Sequence, residues 1–164
     1  GGLSGGANLR HVDLHFDVTK SPNPAQAIQQ LSSVYGTMLM VFARPGGLWG
    51  WQAFEAEPFV NPSFFAFTFA GGFSQPGQYT GGLRIDTIYI SAFFDKANDI
   101  DRTQTIIHEL AHFVGPSGGH TIDDFAYGKT KDPQMQKLSP DKKQRNAEHF
   151  GNFAMQCKFG QDIL

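Results

Sequence analysis

Apolar residues change their spacing several times along the chain, and each change predicts a change of element. Val12, Leu14, Phe16 and Val18 alternate with polar residues, the period of two that a half-buried strand shows. Asn23 as N-cap and Pro24 at the first helical position predict a helix in which Ile28, Leu31, Val34 and Tyr35 keep helical spacing and Gly36 marks the end. The apolar run from Met38 to Phe42 reads as a buried strand. From Arg44 to Gly82, Gly and Pro punctuate a series of aromatics that includes Trp49, Trp51, Phe54 and Phe59. Within it Phe65, Phe67 and Phe69 have the period of a strand with one aromatic face, which packs in a core or lines a groove.

The second half is easier to read. Ile85 to Phe94 predicts another strand, and the best edge for pairing with an extended peptide. Ile106, Ile107, Leu110, Ala111 and Val114 form an apolar helical stripe, with Asp101 to Gln104 as a capping box and Gly115-Pro116 as the stop. Ser139-Pro140 opens a last helix that runs to about Cys157, with Ala147, Phe150, Ala154 and Cys157 on one face. Strands and helices of this kind predict an α+β domain, a small twisted β-sheet packed on helices. A chain of 164 residues with 40% hydrophobic content can bury one core, so a flexible leader over 1–8 and a single domain over 9–164 are expected.

Charge and cysteine content narrow the class. With 13 Lys and Arg against 15 Asp and Glu, the net charge of -2 supplies no basic surface for nucleic acid. Lys142-Lys143-Gln144-Arg145 reads as a solvated helix face. The longest apolar run is too short to span a bilayer. A single cysteine, Cys157, excludes an internal disulfide and reads as a small buried hydrophobe. The chain opens Gly1-Gly2 without Met, as an excised or processed domain would whose targeting signal lies elsewhere, and the expected protein is secreted or delivered outside the producing cell as part of a larger one.

Candidate chemistry concentrates at His108-Glu109-Leu110-Ala111-His112. On a helix of about 3.6 residues per turn, positions i and i+4 share a face, so both imidazoles can hold one Zn²⁺ while Glu109 reaches a water beside it. A hydrolytic zinc site needs a third protein ligand, and the candidates lie in the segment Gly118 to Gly128. The pattern HExxHxxGxxH fits at Gly115 but meets Gly118 where its third His belongs, with His120 two residues late. His11, Asp13, His15 and Asp17 could hold a second metal, although a solvated strand face explains them without one.

The segment His120-Thr121-Ile122-Asp123-Asp124-Phe125-Ala126-Tyr127-Gly128 resembles the GTxxDxxYG segment of the aspzincin metallopeptidases, the deuterolysin and peptidyl-Lys metalloendopeptidase family, with His120 replacing the family's Gly. Ile88 to Phe94 is similar to the strand before the family's active-site helix, with Ser91-Ala92 where Cys-Pro is common. Arg145 to Ala154 resembles the Asn-Ala-Asp-x-Tyr-x-x-Phe-Ala segment of its last helix. The resemblance covers roughly residues 83–159. It implies a zincin-like fold, Asp124 as third zinc ligand beside His108 and His112, and Tyr127 as donor to the transition-state oxyanion. It further implies that Glu148 lines the pocket for the residue after the scissile bond, with Gly151 where lysine-specific members can place a second acid.

The expected function is therefore a zinc metalloendopeptidase acting on protein or peptide substrates, with Glu109 as general base and a preference for a basic residue after the cleaved bond. The alternative is a non-catalytic zinc-containing binding or scaffold module, against which an intact Glu109 argues.

Overall fold

The computed structural model describes residues 6–43, 54–56, 58, 64–115 and 121–160. The aromatics Trp49, Trp51 and Phe59 and the candidate ligand His120 lie outside the described residues.

The first described residues form a helix, α1 (Gly6–Phe16), where the alternation from Val12 predicted a strand. Leu9, Val12 and Phe16 face the core at helical spacing, and Leu14, the residue that completed the alternating pattern, is 37% exposed. Asp17 takes a left-handed conformation at φ 48°, which ends the helix and starts a short 3₁₀ turn over Val18–Lys20. Lys143 Nζ meets the Asp17 carboxylate at 2.7 Å and fixes that corner. Of the four residues read as a second metal face, three are occupied separately. Asp13 Oδ1 accepts from Thr19, Asp17 pairs with Lys20 and Lys143, and His15 is buried between Thr130 and Gln156.

Asn23 Oδ1 accepts from Gln26 N–H and starts α2 (Pro24–Ala43), as expected, but the helix continues through Gly36. Leu31, Val34, Met38 and Val41 are buried at intervals of three and four, so the run read as a strand is the last two turns of this helix. Leu39 and Met40, 66% and 48% exposed, made that run look uniformly buried in sequence.

The architecture is α+β, as expected. A three-stranded sheet has the order β1 (Phe54–Ala56), β5 (Ile88–Ile90), β2 (Ala66–Thr68), and a hairpin pairs β3 (Tyr79–Thr80) with β4 (Leu83–Arg84). β5 runs parallel to β1 and antiparallel to β2, so the strand expected at an edge is central. Among the described residues, β2 is an edge, and it carries Phe67 stacked on Tyr89 at 5.0 Å.

Helix α3 (Asp99–Val114) starts one turn earlier than Asp101 suggested, because Asn98 Oδ1 caps the Asp101 N–H and Asn98 Nδ2 donates back to Asp101. The expected last helix is two: α5 (Pro140–Lys143) ends at the Gln144–Arg145 turn, and α6 (Ala147–Phe159) packs along α3. A short helix, α4 (Pro133–Gln136), precedes them. Gly151 lies where α6 meets α3, and a Cβ there would sit 3.1 Å from Gln104 Cγ. Between these helices and α1, α2 and β5 lies the core of Phe16, Leu31, Val34, Ile88, Leu110, Phe113, Phe150 and Phe153. Each such side chain stabilises the fold by about 1.5–3 kcal/mol through removal from water. Cys157 is exposed, contrary to expectation, although partial desolvation of its thiol still raises the pKa and so disfavours the thiolate. No helix among the described residues is long and apolar enough to cross a membrane.

Candidate metal centre

The buried half of α3 carries the chemistry. His108, Glu109, Leu110, Ala111 and Phe113 are all buried, so Leu110 and Phe113 anchor the helix in the core while His108 and His112 turn towards a cavity. The rings of His108 and His112 meet edge to face at 5.1 Å. Asp124, from the segment after the helix, completes the group, with Oδ1 at 3.2 Å from both Nε2 atoms. The three ligand atoms lie within 4.8 Å of one another, the spacing that one cation could bridge.

The outer ring nitrogens are also assigned. His108 Nδ1 donates to Glu148 Oε2 at 3.1 Å, and His112 Nδ1 donates to the Ile122 carbonyl at 2.9 Å. Protons held at both Nδ1 atoms leave the Nε2 lone pairs for a metal, and the carboxylate and carbonyl make those nitrogens more basic. Two neutral imidazoles and a carboxylate, each oriented from behind, match the ligand chemistry of zinc.

Charge is tightly coupled here. Burial disfavours the imidazolium of His108, but bonds from Asp124 and Glu148 outweigh it and lift its pKa to about 10. His112 shifts up too, with burial again opposing Asp124. Burial alone would raise the Asp124 pKa, yet His108, His112 and the Tyr127 hydroxyl hold it well below the usual carboxylate range. Protons and a divalent cation thus compete for the same nitrogens. Glu109 is 7% exposed, and desolvation raises its pKa against the pull of the two imidazoles. A carboxyl so tuned is a better proton acceptor than an ordinary surface glutamate.

Tyr127 stacks on His108 with ring centroids 5.8 Å apart and the planes 17° from parallel. Its ring is 58% exposed, so the phenol stands at the rim. Burial and the Asp124 hydrogen bond both raise its pKa and keep it a neutral donor. Glu148 lines the same cavity, but Oε2 faces His108 and Oε1 accepts from Gly128 N–H at 3.3 Å. Gly128 has φ 125°, and a Cβ there would approach Asp132 Oδ2 to 2.5 Å, which explains the glycine after Tyr127.

The cavity has a volume of about 680 Å³ and runs from the ligands to Phe65, Phe67 and Thr68 on the β2 side. His108, His112, Asp124, Glu109, Tyr127 and Glu148, singled out in sequence, therefore line one cavity. Sequence reasoning missed the edge at β2, and it gave no role to Asn146 or Asn152, which hold the Asp124 segment from behind. Their signal was the position of both asparagines in the block resembling the last helix of the aspzincins.

No protein-family model matches the chain, and no curated protein does. Among solved structures the chain is similar to a zinc peptidase from Grifola frondosa, with a TM-score of 0.60 and 19% identity over 91% of this chain and 77% of that one. The two share a fold.

Proposed function

We propose that this protein is a zinc metalloendopeptidase of the aspzincin type. The observation that carries the reading is the convergence of His108, His112 and Asp124 within 4.8 Å, beside a buried Glu109 and at the head of a cavity. The shared fold with a zinc peptidase and the match of residues 121–128 to the aspzincin segment support it. When bound, zinc lowers the pKa of a water towards about 7 and polarises the scissile carbonyl.

The chain's own groups do the rest. Glu109 takes the water proton and carries it to the leaving amine. Tyr127 donates to the carbonyl oxygen as negative charge grows there. Strand β2, an edge of the sheet among the described residues, receives the extended substrate, in place of the strand at Ile85 to Phe94 favoured by sequence. Glu148 gives the cavity wall a carboxylate that favours a basic residue after the cleaved bond. The preference is modest, since both its oxygens already accept hydrogen bonds.

The test is zinc content together with a cleavage profile on a peptide library, with and without chelator. About one bound zinc and chelator-sensitive cleavage are expected. Zinc without cleavage would instead favour a binding module. Basic residues after the cut sites in the wild type, reduced in Glu148→Gln, are expected; an apolar preference would remove the Glu148 assignment alone.

A further inference from the structure

The segment that carries Asp124 and Tyr127 has almost no regular structure between Thr121 and Gly128, yet it delivers two of the proposed functional groups. Its backbone bonds therefore go elsewhere. Asp123 forms an isolated bridge with Asn146, in which Asp123 N–H donates to Arg145 O at 2.8 Å and Ala147 N–H donates to Asp123 O at 3.0 Å. Beyond that bridge the bonds come from side chains. Asn146 Oδ1 accepts from Phe125 N–H at 2.8 Å and from Ala126 N–H at 3.3 Å, and Asn146 Nδ2 donates to Ala126 O at 2.9 Å.

Asn146 sits at the N-cap of α6, where an asparagine ordinarily accepts a bond from the first turn of its own helix. It makes no such bond. Instead its amide turns to the segment between Asp124 and Tyr127, while its remaining N–H points to His149 Nδ1 at 2.9 Å. Both lone pairs and both protons of the amide are used, and the residue is wholly buried. The backbone partners at Phe125 and Ala126 fix which way the amide faces, so Nδ2 donates to His149 Nδ1, and burial, which pushes the His149 pKa down to about 3, keeps that ring neutral and able to accept. Asn146 does not line the cavity and touches none of the ligand atoms.

We infer that Asn146 is a positioning residue of the metal centre, its amide holding Phe125 and Ala126 so that Asp124 and Tyr127 reach the site from either side. The inference rests on the metallopeptidase reading. An aspartate would keep the two accepting positions and lose the two donors, and alanine would lose all four. A packing role would lower stability in the same order but would not by itself weaken zinc binding or shift the Co²⁺ spectrum, and a capping role is absent because the side chain makes no cap bond.

The test measures zinc affinity by competition with a chromophoric chelator, and the absorption spectrum of the Co²⁺-substituted protein. Both are taken at a temperature where each metal-free variant is folded by circular dichroism. Asn146→Ala is expected to bind zinc about 10- to 100-fold more weakly and to shift the Co²⁺ bands, with Asn146→Asp between it and the wild type. Met155→Ala, a core truncation elsewhere on α6, is expected to lose stability and keep its zinc affinity. Wild-type affinity and an unchanged spectrum in Asn146→Ala overturn the inference, as does an equal loss in Met155→Ala. If Asn146→Ala does not fold, wild-type affinity in Asn146→Asp overturns it. A wild-type protein that binds no zinc removes the metallopeptidase reading itself.

Discussion

His108 and His112 reach the centre from one helix, whereas Asp124 and Tyr127 reach it from an irregular segment whose hydrogen bonds come from α6. On the first wall the spacing of the ligands is a property of the α-helix itself, set by local bonds and by the burial of Leu110 and Phe113. On the second wall nothing local sets the spacing. Asp124 lies where it does because Asp123 bridges to Asn146, Asn146 holds the two residues after Asp124, and Glu148 and Asn152 hold Gly128. The helical wall can therefore tolerate a change of one side chain without moving its neighbours, and the irregular wall depends on side chains far from it in sequence.

The largest expected effect breaks the chemistry of the helical wall and leaves its geometry intact. Glu109→Gln keeps the shape of the side chain and removes the proton acceptor. Peptide cleavage should fall by about 10²- to 10⁴-fold, with zinc content unchanged by metal analysis. Full turnover in this variant would end the general-base assignment, and loss of zinc would show that the helical wall is less independent than its geometry suggests.

A next, smaller effect tests whether the irregular wall has one ligand or two exchangeable carboxylates. Asp124 Oδ1 faces both imidazoles, whereas Asp123 Oδ1 accepts from the Asp124 N–H and its backbone bridges to Asn146. Asp124→Ala should weaken zinc binding far more than Asp123→Ala, whose cost is a loosened segment. Equal losses in a zinc competition assay would remove Asp124 as the third ligand.

The same contrast explains what sequence could reveal. The pair His108 and His112, and the helix that presents them, were legible because ligand spacing and apolar spacing are both local patterns. Asp124 could be separated from Asp123 and His120 only through resemblance to a known segment, since no local rule decides between adjacent acids. The α+β class was legible, but two elements were assigned wrongly in the N-terminal half. Val12, Phe16 and Val18 are all buried, so the pattern differed from a strand only at Leu14, and Met38 to Val41 looked uniformly apolar because exposure is invisible in sequence. Glu148 was found and its neighbours were not. The bonds from Asn146 to the Asp124 segment join residues 20 and 21 positions apart, and side-chain capping at that range leaves no periodic trace.

The smallest effect concerns the support behind the irregular wall, and it is a dependence of stability on pH. Burial, with His15 and Lys143 nearby, pushes the His149 pKa from its usual 6.5 down to about 3. In the unfolded chain His149 takes up a proton as pH falls below 6.5, while the folded protein takes none until about 3. Stability is therefore present in full above 6.5 and is lost progressively as pH falls towards 3, with a slope approaching about 1.4 kcal/mol per pH unit for one proton. Asp17 and Asp124, whose pKa values are lowered from 3.8, add their own losses only below that value. The raised values of His108 and His112 act at the other end, since the stability they contribute is complete below 6.5 and lost as pH rises. Glu109, with its raised pKa, is the same in wild type and variant, so the difference between them isolates His149. In urea unfolding of the metal-free protein at pH 7, 6, 5 and 4, His149→Gln should be less stable at pH 7, where the bond to Asn146 is altered, and should lose less stability between pH 6 and 4. Parallel acid limbs would show that His149 titrates normally in the fold, and that burial does not hold the imidazole behind Asn146 neutral.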